Sequence, residues 1–403
     1  MSISSFRSLL LSRTKESLPI VARTILEIKN LRSAMDLLAI EKGRAINQHS
    51  KKEESILGAK VGFVPTMGFL HKGHLDLITH AKKQSEFVLS SLFVNPTQFA
   101  PHEDLARYPR AFDSDLEKLG ANGCDAVFAP SVLDMYPLTR GYTPLKTFVT
   151  PIDADILTPE GVARPGFFRG VATVVSKLFN LTRPTLAVFG QKDGIQCIII
   201  QQMVRDLNFN IQIDIVKTTR ELDGLAMSSR NSYLTPEQRK AAPAIYKGLL
   251  AVKHNFETSS EYKNFLDIQQ RRREIEEKEE SKKILIQKDN EIKANQAAQN
   301  ATVIARKGIL PTTLGPLDPI LKRASDQFYK ILKDEGKGLL GDPQYLTFSD
   351  ALTGHPLSSL TDSTARNGAV MLSTAVPILN NGTLRLIDNE MFIGEVGDIG
   401  ASY

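Results

Sequence analysis

This 403-residue chain contains only two cysteines, Cys124 and Cys197, and they lie far apart in the sequence. Such a pair supplies neither a disulfide framework nor a multi-cysteine metal site, so we expect a reducing compartment and predict a cytoplasmic protein. No apolar run approaches the ~20 residues that a membrane span needs, which excludes a spanning role. The net charge of +5 is small for this length and is not gathered in one basic stripe. That argues against a nucleic-acid partner.

The first fifteen residues, MSISSFRSLLLSRTK, contain three basic residues, several serines and no acidic residue. This composition is typical of a mitochondrial transit peptide, and the alternative is an ordinary disordered start. We therefore assign residues 1–21 to a leader, either disordered or targeting. The remaining length exceeds the roughly 100 to 200 residues of a usual domain, so two domains are expected.

Short apolar, β-rich runs alternate with helix-compatible segments over residues 22–220. The runs lie in TILEIKNLRSAM, GAKVGFVPTMG, FVLSSLFVNPTQF, CDAVFAP, TLAVFGQKD and IQIDIVKTTR. This alternation predicts an α/β fold, a doubly wound parallel sheet with helices on both faces. Ligands of such folds bind beyond the carboxyl ends of the strands, where three of these runs end in polar residues. We therefore expect one shared pocket.

After about residue 222 the sequence becomes more helical, and later strand-rich segments predict a smaller C-terminal α+β domain over residues 221–403. An insertion at about 257–307 has no glycine or proline and is rich in Glu and Lys at three- and four-residue spacings. Such spacing predicts a solvated helix. Its expected role is packing or contact with a partner.

His71 and His74 stand where a helix is predicted to begin, within VPTMGFLHKGHLDLI. Unpaired backbone N–H groups and the helix dipole attract phosphate there, and Gly73 lets it approach the backbone. The dipole disfavours imidazolium, so neutral rings that donate to phosphate oxygens are expected. The alternative is a structural role, in which the two histidines cap a helix at the protein surface. Zinc is disfavoured because no third ligand is nearby.

Two further motifs carry amides and charges at predicted strand ends. In FVNPTQF, Asn95 and Gln98 offer neutral amides for a hydroxyl or carboxylate, and the alternative is a simple Asx-Pro turn. In FGQKDGIQ, Gly190 is predicted to let a ligand approach the backbone closely, and Lys192 is predicted to supply a cation. Asp193 is predicted to accept hydrogen bonds from a ribose, and Gln196 is predicted to supply an amide. The alternative there is a charged turn after a buried strand.

Two other stretches contain residues that could bind a triphosphate or its metal ion. MSSRN, from Met227 to Asn231, offers hydroxyls and a guanidinium suited to a triphosphate, although its composition is also ordinary for a loop. In YPRAFDSDLEKL, Asp113 and Asp115 are candidate Mg²⁺ ligands and also normal acids for a helix start.

Taken together, seven stretches resemble the pantothenate synthetase (pantoate and β-alanine ligase) family, of the His-x-Gly-His nucleotidyltransferase-like superfamily. They are VPTMGFLHKGH, FVNPTQF, YPR, RPGFFRGVATVVSKLFN, FGQKD, ELDGLAMSSRNSYL and TLRLIDN. The resemblance covers roughly residues 22–250 and 345–390. It implies a Rossmann-like sheet of the nucleotidyltransferase type, a C-terminal lid domain and a homodimer. It also implies ligation of pantoate and β-alanine through a pantoyl adenylate, with ATP as co-substrate and Mg²⁺ as cofactor.

The resemblance assigns site residues as well. The implied catalytic residues are His71, His74, Lys192 and Arg230. The implied ATP-binding residues are Met67, His74, Gly190, Lys192, Asp193, Thr219, Met227, Ser228, Ser229 and Arg230. The implied pantoate-binding residues are Met67, Asn95, Gln98 and Gln196.

This chain departs from the family pattern at several positions. Phe167 stands where many members have His, Gln191 where many have Glu, and Ile195 precedes Gln196 where many have Gln-Gln. Ser114 replaces an acid of some members, which puts the metal ligands in doubt. None of these departures removes a residue to which the resemblance assigns a step of the reaction, so an active enzyme is expected.

Two other functions compete with this interpretation. A nucleotidyltransferase that moves AMP or CMP onto a phosphorylated acceptor would need basic residues where Gln98 and Gln196 stand. A catalytically silent nucleotide-binding scaffold would use the charged insertion as its partner surface. The retention of both histidines with Lys192 and Arg230 counts against that scaffold.

Overall fold

A computed structural model describes residues 1–14, 17–47, 58–100, 103–137, 145, 147–258, 319–350, 356–357, 370–379 and 384–391. Within them the helices are α1 Ile3–Ser12, α2 Ile25–Asn47, α3 Lys72–Gln84, α4 Phe112–Ala121, α5 Val132–Met135, α6 Ile152–Leu157, α7 Pro159–Ala163, α8 Phe167–Thr182, α9 Gly194–Asp206, α10 Pro236–Ala241, α11 Ala244–Glu257 and α12 Pro319–Gly336. The strands are β1 Ile20–Ala22, β2 Val61–Thr66, β3 Phe87–Leu92, β4 Ala126–Phe128, β5 Leu186–Gly190, β6 Gln212–Val216, β7 Tyr345–Asp350, β8 Val370–Pro377 and β9 Arg385–Met391. None of the helices in these ranges combines the length and the apolar character needed to cross a bilayer.

Strands β1 to β6 form one parallel sheet in the order β1-β4-β3-β2-β5-β6. The central strands β2 and β3 are buried along nearly their whole length. Such burial is expected where helices cover both faces of a parallel sheet, and it explains the near-continuous apolar runs in the sequence. The predicted doubly wound α/β fold is confirmed.

The strand order reverses at β2. From β2 the chain adds β3 and β4 on one side, and it then returns through α8 to place β5 and β6 on the other. Loops that follow β2 and β5 diverge at such a reversal and leave a crevice beyond the strand ends. The His-x-Gly-His motif follows β2, and the FGQKDGIQ motif includes the end of β5.

The N-terminal segment differs from the sequence expectation. Residues Ile3–Ser12 form a helix whose start is capped by Ser2, and its Phe6 and Leu10 are buried in the main core against α2. The side chain of Arg13 donates to the backbone oxygen of Cys124 at 3.1 Å. The expectation of a disordered start is therefore wrong for α1, because its i, i+4 apolar pair is packed. The targeting role stays a prediction.

The edge strand of the large sheet was also placed wrongly. The sequence predicted a strand at the start of TILEIKNLRSAM, but Ile25 begins helix α2, and the strand is Ile20–Ala22 just upstream. It pairs with β4 over three residues. An edge strand this short has too few residues to show a periodic pattern in the sequence.

The C-terminal part contains a three-stranded antiparallel sheet, in the order β7-β8-β9, covered by helices. Helix α11 packs against α12 and β9 around a second core that includes Leu249, Phe328 and Leu372. The smaller α+β unit is confirmed. The boundary at 220/221 stays a prediction and falls between the end of β6 and the first residue of this core, Leu225. From residue 259 onward the predicted charged insertion lies outside the described residues.

Candidate active site

A cavity of about 480 Å³ lies beyond the carboxyl ends of β2, β3 and β5, and β9 contributes residues to its wall. This is the shared pocket that the polar strand ends predicted. Fourteen of the predicted site residues line it: Met67, His71, His74, Asn95, Gln98, Gly190, Lys192, Asp193, Gln196, Thr219, Met227, Ser228, Ser229 and Arg230. Asp113 and Asp115 are not among its lining residues.

The turn between β2 and α3 aims the histidine motif at the cavity. Gly68 and Phe69 have φ angles of 86° and 53°, in the left-handed region where glycine is the residue under least strain. The carboxylate of Asp115 accepts hydrogen bonds from the backbone N–H groups of Phe69 and Leu70 at 2.7 and 2.8 Å. This buried carboxylate therefore fixes the turn that precedes the helix start.

The rings of His71 and His74 stack with their centroids 4.0 Å apart. The Nδ1 atom of His74 accepts from the backbone N–H of His71 at 3.4 Å, so we assign the proton of the neutral ring to Nε2. The Nδ1 atom of His71 is buried and has no hydrogen-bond partner. Both rings line the cavity, where the N–H of a neutral imidazole can donate to a ligand oxygen.

Both histidines are neutral at physiological pH. Burial, with a smaller contribution from the charge of the nearby Lys192, lowers the pKa of His71 from 6.5 to about 4. Burial also pushes the pKa of His74 well below 6.5, with His71 and Lys192 adding to the effect. Desolvation disfavours the charged form of an imidazole, which explains the direction of both changes. The expected uncharged rings are present.

The amides of Asn95 and Gln98 also line the cavity. Asn95 caps the short helical turn Pro96–Gln98 and is only 1% exposed. Its Nδ2 donates to Oε1 of Gln98 at 2.9 Å, and Nε2 of Gln98 lies 3.5 Å from the sulfur of Met67. The alternative of a simple Asx-Pro turn is therefore incomplete, since the capping asparagine also orients a lining glutamine.

The loop after β5 is held by the C-terminal sheet. Asn389 of β9 donates from Nδ2 to the backbone oxygens of Gln191 and Lys192 at 2.8 and 2.6 Å. Lys192 itself is partly buried, with Nζ 3.5 Å from Oδ1 of Asp193. The second domain thus positions the predicted cation, a role for Asn389 that the sequence pattern did not indicate.

The MSSRN loop closes the cavity from the side of the second domain. Ser229 Oγ donates to the backbone oxygen of Phe69 at 3.1 Å, which ties this loop to the turn before α3. Arg230 donates from Nε and Nη2 to the carboxylate of Asp104 at 3.1 and 3.0 Å. The guanidinium predicted to grip a triphosphate is therefore forked onto a carboxylate that the sequence analysis did not identify.

On the β6 side, Thr219 Oγ1 donates to Asp76 of α3 at 2.7 Å. The backbone N–H of Met227 donates to the backbone oxygen of Thr219 at 3.0 Å. A Cβ added at Gly73 would lie 3.0 Å from the ring of His71 and 3.6 Å from Thr219. Gly73 therefore leaves little space for a side chain between His71 and Thr219.

A second set of charged residues lines the cavity and was missed by sequence reasoning: Glu103, Glu160, Arg164 and Arg385. Arg164 donates to both carboxylate oxygens of Glu103 at 2.8 and 2.9 Å. The partners lie 61 residues apart in the chain, so no local pattern signals the pair. Phe167, the departure from the family pattern, stacks on Arg164, whose guanidinium carbon lies 3.5 Å from its ring centroid.

The predicted metal role of Asp113 and Asp115 stays a prediction, and the described geometry does not support it. Asp115 is 1% exposed, and its two oxygens are engaged by backbone N–H groups, while Asp113 lies on the exposed side of α4. The helical period turns Asp115 toward the loop before α3 instead of toward the cavity. Over the described ranges, three or more His, Cys, Asp or Glu residues nowhere meet in a metal-binding group. Both cysteines are buried and free.

Known proteins of one family are similar to this chain. A family model for pantoate-beta-alanine ligase matches residues 38–314. The chain is 56% identical over 197 residues to a pantothenate synthetase from Chloroflexus aggregans, covering 49% of this chain and 69% of that protein. It is 53% identical over 200 residues to a pantothenate synthetase from Thermoanaerobacter sp. (strain X514), covering 49% of this chain and 68% of that protein.

Two solved structures are similar over nearly the whole chain. Pantothenate synthetase from Thermus thermophilus matches with a TM-score of 0.62 at 31% identity, covering 93% of this chain and 100% of that one. A pantoate-beta-alanine ligase from Francisella tularensis, complexed with beta-gamma ATP and beta-alanine, matches with a TM-score of 0.56 at 26% identity, covering 94% and 99%. The chain is an enzyme that belongs to the pantoate-beta-alanine ligase family.

Proposed function

We propose that this chain condenses pantoate with β-alanine in two steps within the described cavity, using ATP as co-substrate. A pantoate carboxylate oxygen attacks the α-phosphorus of ATP, the bond from that phosphorus to the α,β-bridging oxygen breaks, and pyrophosphate leaves. The neutral amine of β-alanine then attacks the acyl carbon of pantoyl adenylate. The acyl C–O bond to AMP breaks and the amine nitrogen loses a proton, which gives pantothenate and AMP.

One observation carries this proposal: two uncharged imidazoles face the same cavity as Lys192 and the amide of Gln98. Neutral N–H donors and one cation stabilise the charge that develops on phosphate oxygens during transfer. A neutral amide beside them suits an acid nucleophile better than a second cation would, because a cation would hold the carboxylate too firmly for attack. We assign catalytic roles to His71, His74, Lys192 and Arg230.

For the nucleotide we propose a path from the histidine turn to the β6 side of the cavity. Ser228, Ser229 and Arg230 hold the triphosphate, and Met67, His74, Gly190 and Lys192 border the α-phosphate. Asp193 accepts from the ribose, and backbone groups near Thr219 and Met227 hold the adenine. The common cavity supports this assignment. Arg230 must exchange Asp104 for phosphate oxygens, an exchange that a fork of N–H donors allows.

The proposed pantoate subsite consists of Met67, Asn95, Gln98 and Gln196, which all line the cavity. Side-chain amides can bind both a carboxylate and hydroxyl groups. A phosphorylated acceptor would instead require cations here. Closure of the C-terminal lid would exclude water, because the adenylate hydrolyses if water reaches it. The two loop contacts from Asn389 and Ser229 support the lid role.

Mg²⁺ enters the proposal with the nucleotide substrate. In nucleotide sites this ion is commonly held by phosphate oxygens, together with one or two carboxylates. Asp113 and Asp115 do not fit as those carboxylates, because neither lines the cavity.

We also propose that the protein is a cytoplasmic homodimer that needs no membrane or nucleic-acid partner. Light scattering of the full chain should give twice its 44.6 kDa mass. A monomeric mass would overturn the dimer. Localisation of a tagged chain in cells tests the compartment, and import into mitochondria would favour the targeting role of the first residues instead.

The decisive experiment measures pyrophosphate release from ATP with pantoate, with and without β-alanine. We expect release that depends on pantoate, and pantothenate only when β-alanine is added. Release that requires a phosphorylated acceptor would support a nucleotidyltransferase. Binding of ATP without any turnover would support a silent scaffold.

A further inference from the structure

Tyr136 lies just outside the cavity, behind the proposed pantoate subsite. It follows α5, and its backbone N–H caps that helix by donating to the backbone oxygen of Val132 at 2.7 Å. Its ring lies 6.2 Å from the ring of Phe93, measured between centroids. It is not one of the cavity's lining residues. Its hydroxyl, however, reaches the asparagine that lines the cavity.

The hydroxyl of Tyr136 donates to Oδ1 of Asn95 at 2.7 Å. The same oxygen accepts from Thr97 through its hydroxyl at 3.0 Å and its backbone N–H at 3.4 Å. An amide oxygen that receives three donors must lie on that side, so the amide nitrogen must lie on the other. Burial raises the pKa of Tyr136 further above the neutral range, in which a tyrosine hydroxyl is already protonated and able to donate.

The nitrogen of Asn95 in turn decides how Gln98 is oriented. It donates to Oε1 of Gln98 at 2.9 Å and to the backbone oxygen of Gly170 at 3.3 Å. Because Oε1 of Gln98 accepts from Asn95, the NH2 group of Gln98 points the other way, toward the sulfur of Met67, which also lines the cavity. The subsite thereby presents hydrogen-bond donors, which match carboxylate and hydroxyl oxygens.

We propose that Tyr136 is a positioning residue that sets the polarity of the pantoate subsite. The hydrogen-bond chain from Tyr136 through Asn95 holds Gln98 with its donors toward the substrate. Without the tyrosine hydroxyl, Asn95 loses its shortest donor, and the reversed orientation of both amides becomes more populated. A reversed Gln98 turns an oxygen toward the substrate carboxylate and repels it. This inference rests on the proposed function, because the substrate oxygens are those of pantoate.

The test is Tyr136→Phe in the full chain, with steady-state pyrophosphate release measured against each substrate. Loss of one neutral hydrogen bond predicts a rise in KM for pantoate of roughly three- to tenfold. We expect KM for ATP and kcat at saturating pantoate to stay within about twofold. Tyr329→Phe is the control, since this tyrosine is 41% exposed and lies outside the cavity lining.

An unchanged KM for pantoate in Tyr136→Phe would overturn the proposal. So would an equal rise in both KM values, which indicates a general loss of structure. If this variant fails to fold, Asn95→Asp decides, because it keeps the shape but places an oxygen against Oε1 of Gln98. We expect calorimetry to show weaker pantoate binding and retained ATP binding. Retained pantoate binding would refute the proposed hydrogen-bond chain from Tyr136 to Gln98. Wild-type protein that releases no pyrophosphate with pantoate would instead refute the proposed function itself.

Discussion

The guanidinium of Arg230 is forked onto the carboxylate of Asp104, with Nη2 3.0 Å from Oδ1 and Nε 3.1 Å from Oδ2. Burial alone would raise the pKa of Asp104, but hydrogen bonds and charge from Arg230 outweigh it and hold that pKa below its usual value. The carboxylate is therefore ionised at neutral pH. Triphosphate oxygens must compete with it for the cation that we assign to them.

We predict that Asp104→Asn lowers KM for ATP several-fold, because the competing charge is removed from the phosphate side of the cavity. Steady-state kinetics with varied ATP measures the effect. Asp223→Asn is the matched control, since Asp223 pairs with Arg239 at 2.6 Å but does not line the cavity. A higher KM for ATP in Asp104→Asn would mean that Asp104 orients Arg230 for the nucleotide instead of competing with it.

Replacement of His74 should separate catalysis from folding. We predict that His74→Ala lowers kcat by roughly 10²- to 10³-fold, since one donor to a developing oxyanion is lost. Rapid-quench measurement of pyrophosphate formation checks this. His80→Ala serves as the control on the same helix, because His80 bonds Asp214 at 2.7 Å and does not line the cavity. A His74→Ala protein that unfolds, or that keeps its rate, would return this histidine to a capping role.

The low pKa of His71 predicts a specific dependence of stability on pH. In the unfolded chain this ring binds a proton near pH 6.5, whereas in the folded protein it does so only near pH 4. The unfolded state therefore binds more protons between these values, and stability is lost as pH falls from 6.5 to about 4. The full effect is on the order of 3 kcal/mol.

Urea unfolding at pH 7.5 and pH 4.5 tests this prediction. The wild-type protein should lose more stability on acidification than His71→Gln, by about 2 to 3 kcal/mol. His254→Gln, at an exposed position, is the control and should behave like the wild type. Equal losses in wild type and His71→Gln would contradict the buried, neutral state of His71.

The two candidate metal ligands of the sequence are predicted to behave differently from each other. Asp115→Asn should lower the free energy of unfolding by about 1 to 3 kcal/mol, because a charged acceptor for two backbone N–H groups is weakened. Asp113→Asn should leave both stability and the Mg²⁺ dependence of the reaction unchanged. Activity titrated with Mg²⁺, together with thermal unfolding, measures both effects. A shifted Mg²⁺ requirement in Asp113→Asn would restore its metal role.

Most of the large sheet was predictable because its signals are local. Buried parallel strands read as continuous apolar runs, and the residues that follow β2, β3 and β5 are polar where ligands bind. The short edge strand β1 and the packed helix α1 were missed. Strand β1 has too few residues for a periodic pattern, and the stretch that forms α1 was assigned to a leader on its composition. Both are stabilised by contacts with other segments.

The site divides in the same way. His71, His74 and Gly73 belong to one short motif whose helix-start geometry follows from its sequence. The partners Asp104, Arg164 and Asn389 did not emerge, because each acts on a residue between 61 and 198 positions away. Asp115 was assigned to a metal for the same reason, since nothing local indicates that its oxygens hold the turn of a different element.

The amino-acid sequence by itself determined the parallel sheet, the pocket at its carboxyl edge and the four short motifs that supply part of its lining: His-x-Gly-His, FVNPTQF, FGQKDGIQ and MSSRN. Apolar periodicity and helix-start chemistry act over a few residues, so they can be read without coordinates. Only the tertiary structure decided why the histidine rings are uncharged, which of the charged groups are paired and which way the amides point. Desolvation, ion pairing and hydrogen-bond direction depend on neighbours that the fold brings together from distant parts of the chain.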